Sequence, residues 1–197
     1  MIAPLFSSES DRLSALRRYR ILDSTPEEAF DELVHTAALV CRTPISLISL
    51  VDVTRQWFKA RKGIAVPELP RESAFCAHAI LGTDVLVVPD AHSDPRFQEN
   101  PLVLGDPHIR FYAGAPIVTP EGLGLGTICV IDRVPRTIGP EESRALRALA
   151  RQVLIQLELR LTLLEVDSVG NHDAIDRARQ EGDRRLRELL GYPRLRR

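Results

Sequence analysis

Residues 109–132 read IRFYAGAPIVTPEGLGLGTICVID, and this stretch decides the fold. It predicts a hairpin of two apolar strands joined at Pro120, Glu121 and Gly122, since Pro and Gly punctuation between β-rich runs marks a tight connection. Arg110, Phe111 and Tyr112 open the first strand, ahead of the small residues Ala113, Gly114 and Ala115. Such an arrangement leaves room beside the sheet for a pocket or a packed helix. No nucleophile-and-base pair accompanies it, which points to sensing rather than catalysis.

Working outward, Pro44–Val53 is apolar at both alternating sets of positions, the pattern of a central strand covered on both faces. Gln56–Lys62 places Phe58 and Ala60 on one face and Trp57, Lys59 and Arg61 on the other, predicting a half-exposed strand, with Trp57 supported by its basic neighbours. Val85–Val88 is a short strand. With the hairpin, five strands are legible. Ser10–Tyr19 predicts a short helix. Phe30, Leu33, Val34, Ala37, Ala38 and Cys41 follow helical spacing from about Pro26, with Thr25 and Glu28 as an expected capping box. Ser73–Leu81 predicts a helix capped by Ser73. The segment from Asp90 to His108, carrying Pro95, Pro101, Gly105 and Pro107, reads as a long loop.

A long helix opens near Gly139-Pro140 with two apolar stripes. Leu146, Ala150, Val153, Leu157, Leu161 and Leu164 form one, and Leu149, Leu154, Leu159 and Leu163 the other. One stripe suits the sheet and the second a partner helix, so a homodimer through helix 141–165 is expected. The composition shifts after Val166. Residues 1–24 therefore read as a helical lead-in, 25–166 as one domain and 167–197 as a charged helical tail.

The chain has 197 residues, 44% hydrophobic and 27% charged, with a formal net charge of −1. That composition is ordinary for a globular protein and supplies no field for nucleic acid or anionic lipid. Cys41, Cys76 and Cys129 lie in apolar runs without a CxxC pair, which suits buried thiols in a reducing compartment. No leader or membrane-spanning run is apparent, and a cytoplasmic location is expected.

The blocks ISLISLVD, RQWFKARKG, ELPRESAFCAHAI, LVVPDAHSDPRFQENPLV, IRFYAGAPI and LGTICVID together resemble a subgroup of bacterial GAF domains, those found upstream of sensor kinases and diguanylate cyclases. The resemblance covers roughly Asp11 to Leu164. It implies an α+β fold: a central antiparallel sheet of about six strands, flanking helices and a small-molecule pocket on one sheet face. The pocket would be walled by Ser73–Leu81 and Asp90–His108.

Members of this family bind cyclic nucleotides, bilins, haem or metabolites, some only dimerise, and a few reduce free methionine sulfoxide. Cys76 and His78 lie two apart, about 200° around a helix axis, which disfavours a shared metal. Ala77 separates them where bilin-binding members place His directly after Cys. A reductase would need a nucleophilic thiolate with a resolving Cys. Cys76 and Cys129 are the candidates, meeting across the pocket, although the reductase subgroup carries cysteines in the loop that here has none. Arg71, Arg96 and Arg110 could clamp an anion, with Phe97, Phe111 or Tyr112 stacking on a base. The alternative is that Asp94 and Arg96 fix a turn while Arg110 pairs with Asp90 or Asp106.

The sequence therefore reads as a sensory module in bacterial signal transduction. An unidentified, anionic small molecule would be lined by Arg71, Phe75, Cys76, Ala79, Phe97, Arg110, Tyr112 and Cys129. Binding would be coupled to helix packing in the dimer and passed to a downstream signalling protein. No metal, nucleic-acid or membrane partner is expected. A Cys-dependent methionine sulfoxide reductase and a ligand-free dimerisation module are the alternatives.

Overall fold

In the computed structural model, which describes Leu5 and residues 7–169, the apolar run Ile45–Val51 forms β1, buried at every position. It is the inner strand the sequence predicts. The remaining strands are β2 (Arg55–Lys62), β3 (Glu68–Pro70), β4 (Leu86–Val88), β5 (Phe111–Val118) and β6 (Gly124–Asp132). Every pairing is antiparallel, in the order β3-β2-β1-β6-β5-β4. The sixth strand, implied by the family resemblance, is β3. The expected hairpin is β5–β6, turned at Gly122, whose φ of +84° glycine adopts without a side-chain clash.

Among the described residues five α-helices accompany the sheet: α1 (Glu9–Arg18), α2 (Glu28–Cys41), α3 (Phe75–Ala79), α4 (Pro101–Leu104) and α5 (Pro140–Val169). α2 lies across β2, β1 and β6, while α3 touches β5, β6 and β1. Period-two alternation divides β1 between two cores: Ile45, Leu47 and Val51 join the cluster around α3, and Ile48 and Leu50 are buried towards the other face. In α5 the stripe Leu146, Ala150, Val153 and Leu157 is buried as expected.

Two compact units divide after Glu158. The first carries the whole sheet; in the second, α5 continues from Leu159 to Val169, with Leu159 and Leu163 exposed. α5 thus passes the expected break at Val166, and the expected tail beyond residue 169 lies outside the described residues. No helix among the described residues is long and apolar enough to cross a membrane.

Three local expectations need correction. β2 is not half exposed: Trp57 and Lys59 are buried. The Lys59 ammonium lies 5.1 Å from the Phe30 ring centroid and donates to Ser24 Oγ (2.9 Å), the Thr25 carbonyl (2.7 Å) and Glu27 Oε1 (2.7 Å). Oxygens from the chain entering α2 satisfy the charge, so the polar residue is buried with partners. The expected capping box is not formed: Lys59 holds the Thr25 carbonyl, and α2 starts later, at Glu28, with Glu27 in the cap position and no side-chain cap. Ser73 is not the cap of α3 either. It ends a 3-10 turn, Arg71–Ser73, and its hydroxyl donates to the Pro70 carbonyl at 3.0 Å.

Candidate functional site

The site is built on the face of the sheet that α3 covers. Alternation along the strands points Leu47 and Ser49 of β1, Gln56 and Phe58 of β2, Tyr112 of β5, and Thr127 and Cys129 of β6 to this side. Phe75 and Cys76 come down from α3, and Phe97 arrives from the loop after β4. Of the residues singled out in the sequence, Phe75, Cys76, Phe97, Tyr112 and Cys129 share one buried cluster. Phe75 stacks on Phe97 at 4.0 Å between centroids, 11° from parallel, and tilts against Tyr112 at 5.2 Å. His78 closes the row edge-on to Phe97 at 4.8 Å. Ala79 is buried on α3 without lining the cavity beneath.

The polar centre of this cluster is the Cys76 sulfur. Thr127 Oγ1 donates to it at 3.1 Å and the Tyr112 hydroxyl at 3.5 Å. Cys129 lies in the same buried cluster, two residues along β6 from Thr127 and on the same face of the sheet. Hydrogen bonding from Cys129 first, then from Thr127, Tyr112 and Ser49, holds the Cys76 thiol below the usual thiol range despite complete burial. Its partner moves the other way: the bond to Cys76 and burial push Cys129 well above that range. Burial likewise raises the Tyr112 phenol, helped by the two sulfurs. Ser49 and Gln56, joined by a hydrogen bond of 3.2 Å, extend the polar file, yet the sequence reading did not single them out. Their signal is present in the alternation Leu47, Ser49, Val51.

The space left is small. A cavity of about 20 Å³ is bordered by Phe75, Cys76, Leu102, Ile109, Tyr112 and Ile131 among others, room for one water-sized body. The cover is tied down by Asn100, whose Nδ2 donates to the Ser73 carbonyl at 3.0 Å while its Oδ1 caps α4 at Leu102 N, 2.9 Å. The expected long loop thus contains a helical turn.

The three arginines do not converge on this cavity. Arg71 donates to Glu9 Oε1 (2.6 Å) and the Asp52 carbonyl (3.0 Å), and borders a separate open groove of about 450 Å³ with Leu5, Val53 and Glu72. Arg110 makes a two-pronged pair with Asp90 at 2.8 and 2.9 Å. Arg96 bonds Asp94 within the turn it helps to form, its guanidinium 5.1 Å from the Phe97 ring. The turn-fixing and Asp90-pairing alternatives are the ones observed. Arg110 holds the Asp90 carboxyl down to about 2.

Residues 25–157 match the GAF domain family, and the chain belongs to it. Over 141 residues it is 48% identical to a cyclic di-GMP phosphodiesterase of Pseudomonas aeruginosa, a match covering 72% of this chain and 24% of that protein. The chain thus spans about a quarter of the length of this curated relative. Among solved structures, the blue-light-absorbing form of the PixJ GAF domain of Thermosynechococcus elongatus superposes with a TM-score of 0.58 at 17% identity, covering 81% of this chain and 97% of that one. The GAF domain of an Acinetobacter phosphoenolpyruvate-protein phosphotransferase gives 0.56 at 19% identity, covering 85% and 99%. These structural likenesses establish the fold.

Proposed function

We propose that this chain is the sensory GAF module of a bacterial signalling pathway. In this reading a small molecule binds on the sheet face beneath α3 and the loop after β4, and its binding biases the packing of α5 against a second copy. The observation that carries it is the 48% identity to a region that makes up about a quarter of a cyclic di-GMP phosphodiesterase. A segment shared at that level suits a regulatory role delivered to a downstream signalling protein.

The closed cavity shapes the mechanism. Entry of a ligand larger than water requires separating Phe75 from Phe97 and releasing Asn100 from Ser73, so binding selects an open cover from the ensemble. An anionic ligand would reach the arginines only by displacing Glu9, Asp90 or Asp94. The exposed Leu159 and Leu163 supply an apolar edge for the second helix. Adding the low-molecular-weight fraction of the producing cells to dialysed protein tests the reading. A rise in melting temperature that Phe75→Ala abolishes supports it, and no rise with any fraction overturns it.

A second reading, Cys-dependent reduction of free methionine sulfoxide, is favoured by one observation: Cys76 and Cys129 lie in one buried cluster. It predicts multiple turnovers of methionine sulfoxide, lost on Cys76→Ser.

A further inference from the structure

The Cys76–Cys129 pair has features that a ligand pocket alone does not require. One cysteine comes from the cover and the other from the middle of the sheet, yet both lie in one buried cluster nearly sealed from solvent, with exposures of 2% and 0%, Cys129 next on its face of β6 to the Thr127 that bonds Cys76. The ring around Cys76 is made of hydroxyls, Thr127 at 3.1 Å and Tyr112 at 3.5 Å. Tyr112 can lie in that position because Gly114, two residues along β5, has no Cβ; one placed there would collide with the tyrosine hydroxyl. The backbone is thus cut away to bring a donor onto the sulfur. Sulfur is a weak acceptor as a thiol and a strong one as a thiolate, so such a ring gains most when the proton leaves. The 20 Å³ cavity borders the same sulfur and admits a body about the size of water, close to the head of a hydroperoxide.

From this geometry we propose that Cys76 and Cys129 are a redox couple, closed to an intramolecular disulfide by hydroperoxide and reopened by a thiol reductant. The Cys76 thiolate attacks one peroxide oxygen, the O–O bond breaks, and the departing oxygen takes a proton and leaves as alcohol or water. Cys76 is then a sulfenic acid. The Cys129 sulfur attacks the Cys76 sulfur, the S–O bond breaks, and water leaves. In sum, two thiols lose two electrons and two protons, and one hydroperoxide is reduced. The disulfide requires the sulfurs to close to about 2.05 Å and leaves Thr127 and Tyr112 donating to a weaker acceptor than the thiolate. The inference stands whether or not a small molecule binds, and it differs from the reductase reading in its oxidant.

The test treats the fully reduced protein with hydrogen peroxide, quenches in acid, alkylates under denaturing conditions and maps the thiols by mass. The expected result is loss of two of the three free thiols, a mass lower by two hydrogens, a Cys76–Cys129 cross-linked peptide, an alkylated Cys41, and full reversal by dithiothreitol. In Cys129→Ser, dimedone should label Cys76. Thr127→Val should slow the peroxide reaction about tenfold, the worth of one hydrogen bond to a charged sulfur. Peroxide that leaves all three thiols alkylatable, or oxidises Cys41 first, overturns the proposal. So does a disulfide that forms with free methionine sulfoxide but not with peroxide. The wild-type map and Thr127→Val decide the matter should Cys129→Ser not fold.

Discussion

Tyr112 lays its phenol over the Cα of Gly114 and reaches the Cys76 sulfur at 3.5 Å, so a glycine in β5 sets a contact between the sheet and α3. Gly114→Ala puts a methyl into the space of the phenol. It should destabilise the fold by about 2 kcal/mol, as overpacking of a filled core does. Urea denaturation of Gly114→Ala beside Tyr112→Phe separates the parts: the phenylalanine variant loses only the hydroxyl contact and should cost less.

Lys59 is the buried cation on which the start of α2 depends. Its three oxygens come from Ser24, Thr25 and Glu27, so Lys59→Met leaves them without their donor. The expected loss is about 3 kcal/mol, the scale for breaking a buried pair from one side. Amide exchange should show the first turn of α2 opening earlier while the β5–β6 hairpin stays protected.

Acid should loosen the contact between α1 and the turn before α3. Burial acts to raise the Glu9 carboxyl, but hydrogen bonds from Arg12 and Arg71 outweigh it and take the carboxyl from 4.5 to about 2. A folded-state value below the unfolded one contributes stability above pH 4.5, and that contribution is lost as pH falls towards 2. Asp94, held down by Arg96, has the same sign. The urea midpoint of the wild type should fall across this window, and Glu9→Gln should be less stable at neutral pH with a shallower fall.

Arg110 tests what the arginines are for. Its guanidinium is taken by Asp90, so Arg110→Ala should lower stability mildly, with a difference from wild type that shrinks in acid as Asp90 protonates near 2. Melting curves at neutral and acid pH measure this.

The parts of this fold that depend on near neighbours could be read from the sequence. Pro120–Gly122 announced the β5–β6 hairpin, and the unbroken apolar run of β1 announced an inner strand. Asp94–Arg96 was legible as a pair because it serves a local turn, whereas Arg110 had two candidate partners, Asp90 and Asp106, and only the fold selects Asp90, twenty residues away. β3 was hidden, since three residues ending at Pro70 give no alternation to detect. Lys59 was misread because its partners belong to another element, and only tertiary structure shows that a lysine inside a strand pattern is neutralised. The shared cluster of Phe75, Phe97, Tyr112, Cys76 and Cys129 was foreseen. The near absence of free space within it was not, because that depends on how closely the Phe75 and Phe97 rings stack.

In the proposed function this GAF domain holds a small molecule on the face of the sheet covered by α3. Native mass spectrometry of protein gently isolated from the cells that produce it, followed by denaturing mass analysis of the same sample, tests it most directly. The expected result is a dimer carrying an extra mass that denaturation releases, with less of it in Phe75→Ala. A wild-type protein whose native and denatured masses agree, with nothing released, would contradict it.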